Sequence, residues 1–233
     1  NELAARLESS EARRRQFVSD ASHELKTPLA SIKLLSDSIL QNEMDPETQR
    51  EFIGDIGREA DRLGRLTQKL LTLTKLDSSV EEEREILDAE PVVRKVVRML
   101  LPLARLRGIG IDTTFEPDCS VMTVEDDLYQ IIFNLVENAI KYNRQDGWVG
   151  VSVRRAGDQV ELRVEDSGAG IPPESMEHIF ERFYRADTSR KSKSHFGLGL
   201  SIASEIAALH HGRLYAKDTP GGGATFTFEL PYK

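Results

Sequence analysis

The feature that most constrains this chain is a run of apolar residues, early in the sequence, that return at alternating steps of three and four. Val18, Ala21, Leu25, Pro28, Ile32, Leu35 and Ile39 keep that rhythm, and Leu29 and Leu40 broaden the stripe. Such steps keep one face of an α-helix turned toward a partner helix. After Gln41-Asn42-Glu43-Met44-Asp45-Pro46 a second seam begins, made of Ile53, Ile56, Ala60, Leu63, Thr67, Leu70 and Thr74 and widened by Leu66 and Leu73. Asp45 is placed to cap this second helix and Pro46 to occupy its first turn. Two helices by themselves cannot bury both stripes, so the expected solution is a homodimer whose four helices share one core. An antiparallel pair laid on the rest of the chain is the alternative.

The polar run Ser78-Ser79-Val80-Glu81-Glu82-Glu83-Arg84 then reads as a linker. The expected division is a helical domain over 1–77, a linker over 78–84 and a second domain over 85–233. In that second part the pattern predicts helices near Pro91–Leu106, Glu125–Tyr142 and Leu198–His211, the last stopping at Gly212. Alternating strands are expected around Val149–Val153 and Val160–Val164, with a closing strand carrying Phe226, Phe228 and Leu230 after Gly221-Gly222-Gly223. Short connections favour a mixed, largely antiparallel sheet with helices on one face. The predicted class is therefore α+β, a helical hairpin in a dimeric four-helix bundle followed by an α/β sandwich with a mixed sheet.

Composition excludes some functions. A formal charge of −8 does not suit a protein that grips nucleic-acid backbone. The single Cys119 permits no internal disulfide and no cysteine-based metal site, which fits a reducing compartment. No apolar run is long enough to cross a bilayer and the first residues are too polar for a secretory signal, so any membrane anchor is expected outside this piece.

Two sets of residues carry chemistry. The first centres on His23, which the seam positions Val18 and Leu25 place on the outward face of its helix. An exposed neutral imidazole offers a nucleophilic ring nitrogen, and Glu24 beside it is able to hold the other nitrogen or take its proton. Taken alone, such a pair is also an ordinary solvated helix surface. Pro28, five residues on, removes a backbone donor at a cost of about 3 kcal/mol, which suggests a bend near the histidine.

The second set is spread over the C-terminal part. Asn134, Asn138 and Lys141 recur at steps of four and three on one helical face, away from Ile131, Leu135 and Ala139. Two carboxamides and an ammonium there suit Mg²⁺ and a triphosphate. The strand Val160–Val164 runs into Glu165-Asp166-Ser167-Gly168-Ala169-Gly170, whose glycines allow close approach of a ligand and whose Asp166, if buried, is able to accept from an exocyclic amine. Phe180-Glu181-Arg182-Phe183-Tyr184-Arg185 is aromatic and cationic, and the polar stretch from Ala186 to Phe196 reads as a mobile lid. Gly197-Leu198-Gly199-Leu200-Ser201-Ile202 opens the last helix with free amides suited to phosphate.

The run Phe17-Val18-Ser19-Asp20-Ala21-Ser22-His23-Glu24-Leu25-Lys26-Thr27-Pro28-Leu29-Ala30 closely resembles the phosphoacceptor box of sensor histidine kinases. The four later segments resemble, in order and spacing, the asparagine, first glycine, phenylalanine and second glycine boxes of the same family's ATP-binding domain. The resemblance implies that 1–77 dimerises and carries the phosphoacceptor and that 85–233 binds ATP with Mg²⁺. It implies phosphorylation of His23, help from Glu24 in autophosphorylation, and a role for Thr27 in positioning the water that dephosphorylates a response-regulator partner. It assigns Asn134 and Asn138 to the Mg²⁺–phosphate end, Lys141 and Tyr142 to supporting contacts, and Asp166 to adenine. Gly168, Gly170, Gly197 and Gly199 permit backbone approach, Leu198 and Leu200 lie in the same glycine box, and Arg185 contacts phosphate. The implied parent is a membrane-bound receptor with this portion in the cytoplasm. One departure is His195, where the family often has glycine, followed by Phe196 where a small residue is common. A nucleotide-binding signalling scaffold without kinase activity is the alternative from another class. His210-His211 resembles a family helix end, and His178 has no evident partner in the sequence.

Overall fold

The computed structural model describes residues 2–77, 83–186 and 196–232. It divides into two compact units, one containing the two long helices through Thr74 and one containing the mixed α/β part that begins at Lys75.

The helical unit consists of α1 (Glu2–Gln41) and α2 (Pro46–Asp77). The expected cap is present. Asp45 Oδ1 accepts from the amides of Glu47 at 3.0 Å and Thr48 at 2.9 Å, and Oδ2 accepts from the Thr48 hydroxyl at 2.7 Å. These bonds, the Thr48 amide foremost, hold the Asp45 carboxyl below the usual range. Helix α1 continues unbroken across Pro28, so the loss expected there is confined to one donor and does not end the helix. Arg62 reaches Glu24 at 3.6 Å and Glu59 at 3.5 Å, tying the two helices at points equally distant from the turn.

On the two helices Ala21, Leu66 and Leu73 are buried. Much of the apolar pattern stays open, with Val18 56% exposed and Ile53 57% exposed. Along the expected seam of α2, Ile53, Ala60, Thr67 and Thr74 are exposed and Ile56, Leu63 and Leu70 half-buried, whereas Leu66 and Leu73 beside it are fully buried. A single hairpin covers one stripe per helix and leaves the neighbouring one for another partner.

The second unit starts with β1 (Glu85–Asp88) and α3 (Ala89–Leu106), the latter capped by Asp88, whose side chain accepts from the Glu90 amide at 3.1 Å. There follow β2 (Gly110–Phe115), β3 (Ser120–Thr123), α4 (Glu125–Lys141), β4 (Trp148–Ala156), β5 (Gln159–Asp166), α5 (Gly199–Leu209), β6 (Arg213–Asp218) and β7 (Ala224–Pro231). The main sheet has the order β2-β4-β5-β7-β6, parallel only at β2–β4, while β1 and β3 form a small antiparallel pair. The mixed sheet is as expected; β1, β2, β3 and β6 are additions to the expected elements.

Register explains the core. Val151 pairs with Val164, Val164 with Phe226, Val153 with Leu162, and Leu162 with Phe228, so these side chains share one face. All are buried, together with Val93, Val96 and Leu100 of α3, Ile131, Leu135 and Ile140 of α4 and Ile202 and Ile206 of α5. On the other face Arg154 and Arg163 both bond to Glu161. The alternation of β5 therefore separates a dry side covered by helices from a charged side. No helix among the described residues is long and apolar enough to cross a membrane.

Candidate functional site

In the helical unit His23 is exposed on α1, as its offset from the seam requires. Glu24 is half-buried, and its carboxylate faces Arg62. Thr27 is exposed and its hydroxyl donates to the His23 carbonyl at 3.3 Å, a bond within its own helix.

In the second unit α4 supplies the asparagines. Asn134 is not on a solvated face: it is 2% exposed, as buried as its apolar neighbours Ile131 and Leu135. Its Oδ1 accepts from Gln130 Nε2 at 3.2 Å, whereas its Nδ2 is buried without a hydrogen-bond partner. A buried amide nitrogen in that state is costly unless something else accepts from it. Asn138, one turn on, is half-buried. The Lys141 ammonium lies 4.4 Å from the centre of the Tyr142 ring.

The end of α4 is what gathers the first glycine loop. The Tyr142 carbonyl accepts from the Ala169 amide at 3.4 Å, and a Cβ on Gly168 would collide with that same carbonyl oxygen. Glycine is therefore demanded by close approach. Beside it, the Ser167 hydroxyl accepts from the Trp148 amide at 2.9 Å and lies 3.1 Å from Asn143 Oδ1. Gly170 has a φ of +75°, which suits glycine.

Asp166 is 4% exposed at the end of β5. Its Oδ1 accepts from the amides of Gly168 at 2.8 Å and Ala224 at 3.2 Å, and no described residue donates to Oδ2. Burial pushes this carboxyl up from its ordinary range, and the two amides offset that only in part. The result is a fixed acceptor with one oxygen left for a donor such as an exocyclic amine.

The other part of the candidate site is built from α5 and the aromatic segment. No side chain caps α5, so the amides of its first turn, at Gly199, Leu200 and Ser201, have no partner within the helix. Leu198 is buried, so its side chain anchors the turn. A methyl on Gly199 would lie 3.5 Å from Asn134 Oδ1, which sets the start of α5 beside the asparagine helix. Gly197 has a φ of +69°, and its carbonyl accepts from the Phe183 amide at 3.0 Å. Arg182 grips Glu205 of α5 with Nε at 2.7 Å and Nη2 at 2.9 Å. Arg185 is half-buried just beyond this clamp. His178 does have a partner, Glu181 at 2.7 Å, and that bond foremost raises its pKa. His195 and the expected lid, apart from Ala186 and Phe196, lie outside the described residues.

The structure thus brings Asn134, Asp166, Gly168, Gly170, Gly197 and Gly199 into one unit and His23, Glu24 and Thr27 into the other. Sequence reasoning missed Asn143, Ser167 and Ala224 as supports of the loop. Asn143 directly follows the asparagine segment, but only pairing across the sheet identifies what it serves.

The chain is similar to known proteins in sequence and in fold. Residues 123–233 match the family described as histidine kinase-, DNA gyrase B-, and HSP90-like ATPase, and residues 13–79 match the His Kinase A (phospho-acceptor) domain. The sensor-like histidine kinase SenX3 of Mycobacterium tuberculosis is 36% identical over 95% of this chain and 54% of its own length, so the chain spans about half of that relative. The crystal structure of full-length ShkA in complex with AMPPNP has a TM-score of 0.70 at 26% identity, covering 94% of this chain and 46% of that one. The histidine kinase ThkA, solved in complex with the response regulator protein TrrA, has the same fold with a TM-score of 0.78 at 23% identity, over 98% of this chain and 66% of that one.

Proposed function

The chain belongs to the sensor histidine kinases of two-component systems, and on that premise we propose that it transfers the γ-phosphoryl group of ATP to His23 and thence to an aspartate of a response regulator. The observation that carries this reading is the buried Nδ2 of Asn134, which lacks a protein acceptor beside the uncapped amides of α5. Both are donors, and a polyphosphate is the ligand that satisfies donors of this kind together. Asp166 Oδ2 then accepts from the adenine amine, with Gly168 and Gly170 giving the base room.

In the transfer step a ring nitrogen of neutral His23 attacks the γ-phosphorus. The N–P bond forms as the bond to the β–γ bridging oxygen breaks, and ADP leaves. Glu24 accepts the proton from the other ring nitrogen and, through its contact with Arg62, stays anchored to α2 while doing so. Mg²⁺ would supply charge neutralisation between the phosphates. Asn138 fits it as a direct ligand, because its carboxamide makes no hydrogen bond to a described residue. Asn134 fits less directly: its oxygen is already engaged by Gln130, so its amino group serves a phosphate oxygen. Lys141, Tyr142 and Arg185 support the phosphate end.

We take 1–77 as the dimerising acceptor domain, 78–84 as the linker and 85–233 as the ATP-binding domain. The exposed stripe through Val18, Leu29 and Ile53 supports a homodimer of hairpins. The parent is a membrane receptor whose cytoplasmic portion this is. The test is incubation with γ-labelled ATP and Mg²⁺. Label should appear on the wild-type protein, resist alkali, be lost in acid, and be absent from His23→Gln, which should still bind nucleotide. Label persisting in His23→Gln would remove His23 as acceptor.

A further inference from the structure

Helices α4 and α5 meet at two points that the sequence keeps far apart. Near the start of α5, Gly199 lies against Asn134. At its other end His210, the C-cap residue, places Nε2 at 2.7 Å from Asp127 Oδ2 in the first turn of α4. The helices are therefore antiparallel, with a side-chain bond at one end and the phosphate-facing backbone at the other.

His210 is 4% exposed, and its Nδ1 is buried with no hydrogen-bond partner among the described residues. Among the described residues its ring makes one hydrogen bond, to Asp127. With Nε2–H donating to the carboxylate, the orphan Nδ1 is a lone pair and not a stranded donor, the cheaper of the two arrangements. A bond of this length to a carboxylate, with the histidine side shielded from water, is among the stronger directional contacts a side chain makes. The last turn of α5 is fixed on other sides too. Arg84 donates to the Leu209 carbonyl at 3.0 Å, and Gly212 lies so close to β7 that a Cβ would come within 2.5 Å of the Glu229 carbonyl oxygen. Those contacts hold the end of α5 to the segment before β1 and to the sheet. Sliding along α4 is resisted by His210.

We propose that His210 and Asp127 are positioning residues for phosphoryl transfer: their bond sets the register between α5 and α4, and so keeps the first amides of α5 level with Asn134. The proposal rests on the nucleotide-site reading above. A shift of α5 along α4 by a fraction of a turn would carry the amides of Gly199, Leu200 and Ser201 away from the Asn134 amide, and one phosphate could no longer meet both. Neither residue touches the nucleotide. Their effect travels through the rigid length of α5.

The experiment uses the whole chain with Mg²⁺ and the non-hydrolysable analogue AMPPNP, measuring Kd by calorimetry, KM and kcat for ATP by label uptake, and thermal melting on the same samples. His210→Leu and Asp127→Ala should each raise Kd and KM on the order of tenfold, the scale of a lost hydrogen bond to a charged group. The double variant should be no worse than either single one, since both remove one bond. His210→Gln, which keeps a donor able to reach Asp127, should recover affinity to within about threefold of wild type. A folded His210→Leu or Asp127→Ala protein with unchanged Kd would overturn the positioning role, as would a glutamine variant no better than leucine at equal stability. If His210→Leu does not fold, the partly exposed Asp127 position decides the matter through Asp127→Ala. Wild-type protein that binds no AMPPNP would overturn the nucleotide-site reading itself, and this role with it.

Discussion

Asp166 accepts from the amide of Ala224 at 3.2 Å, joining the end of β5 to the start of β7 and fixing which carboxylate oxygen remains open. With Oδ1 held by this bond and by Gly168, the carboxylate cannot rotate to present both oxygens to a ligand. On the proposed reading, adenine recognition would depend on a single acceptor atom.

If that atom meets the nucleotide, binding should be sensitive to pH. Burial raises the Asp166 pKa, so its proton returns at a higher pH than it would on an exposed aspartate. Affinity for Mg²⁺·ATP should fall as pH is lowered through that raised value. The contribution to folding has the opposite sign: a raised carboxyl pKa favours the folded state at low pH, and this advantage is lost as pH rises. Asp166→Asn should bind at least about tenfold more weakly at neutral pH, because its amino group opposes the adenine amine. It should also lose the part of the pH dependence that belongs to this residue. Calorimetry of both proteins across pH separates that part from titration of ATP itself, and parallel curves would reject the adenine contact.

Asn138→Ala should abolish Mg²⁺-dependent ATP use while leaving the dimer intact, because residue 138 lies on α4, outside the helical unit that carries the seams. Dimer mass and label uptake are measured on the same preparation. Normal uptake would remove Asn138 from the metal shell.

Thr27→Ala should leave labelling of His23 largely unchanged and slow hydrolysis of a phosphorylated response regulator. The hydroxyl sits one turn from His23 on the exposed side of α1, and its bond to the His23 carbonyl orients it without burying it. Phosphate release from purified phospho-partner is followed beside label uptake. Equal release rates would reject the role, and a modest parallel fall in both activities would mean that the hydroxyl serves its own helix.

Gly197→Ala should destabilise the aromatic clamp more than the fold. The left-handed backbone costs an L-residue about 1–2 kcal/mol, and the new methyl would lie 2.5 Å from the Tyr184 carbonyl oxygen and 2.7 Å from the Phe183 carbonyl carbon. Hydrogen exchange should quicken first at Phe183, whose amide bonds to Gly197, and ATP affinity should fall with it. Unchanged exchange at Phe183 would show that the turn adapts to the methyl.

Periodicity and local chemistry alone located the two long helices, the cap at Asp45, the outward face of His23, the core strands and the last helix, because these depend on residues within a few positions of one another. The glycines at 168, 170, 197 and 199 were legible for the same reason: only close approach or an unusual backbone explains so many beside polar residues. What the sequence could not decide depends on pairs brought together by the sheet and by helix packing. Asn134 shares its spacing with Asn138, yet packing buries one and leaves the other half-open. Short strands such as β1 and β3 carry too few residues for a period to emerge, and they form because each supplies the other's hydrogen bonds. The open oxygen of Asp166 depends on Ala224, and the seat of His210 on Asp127. Periodicity records which face a residue occupies; only the tertiary structure settles what meets it there, since hydrogen bonds and close contacts are set by distance in space and not by separation along the chain.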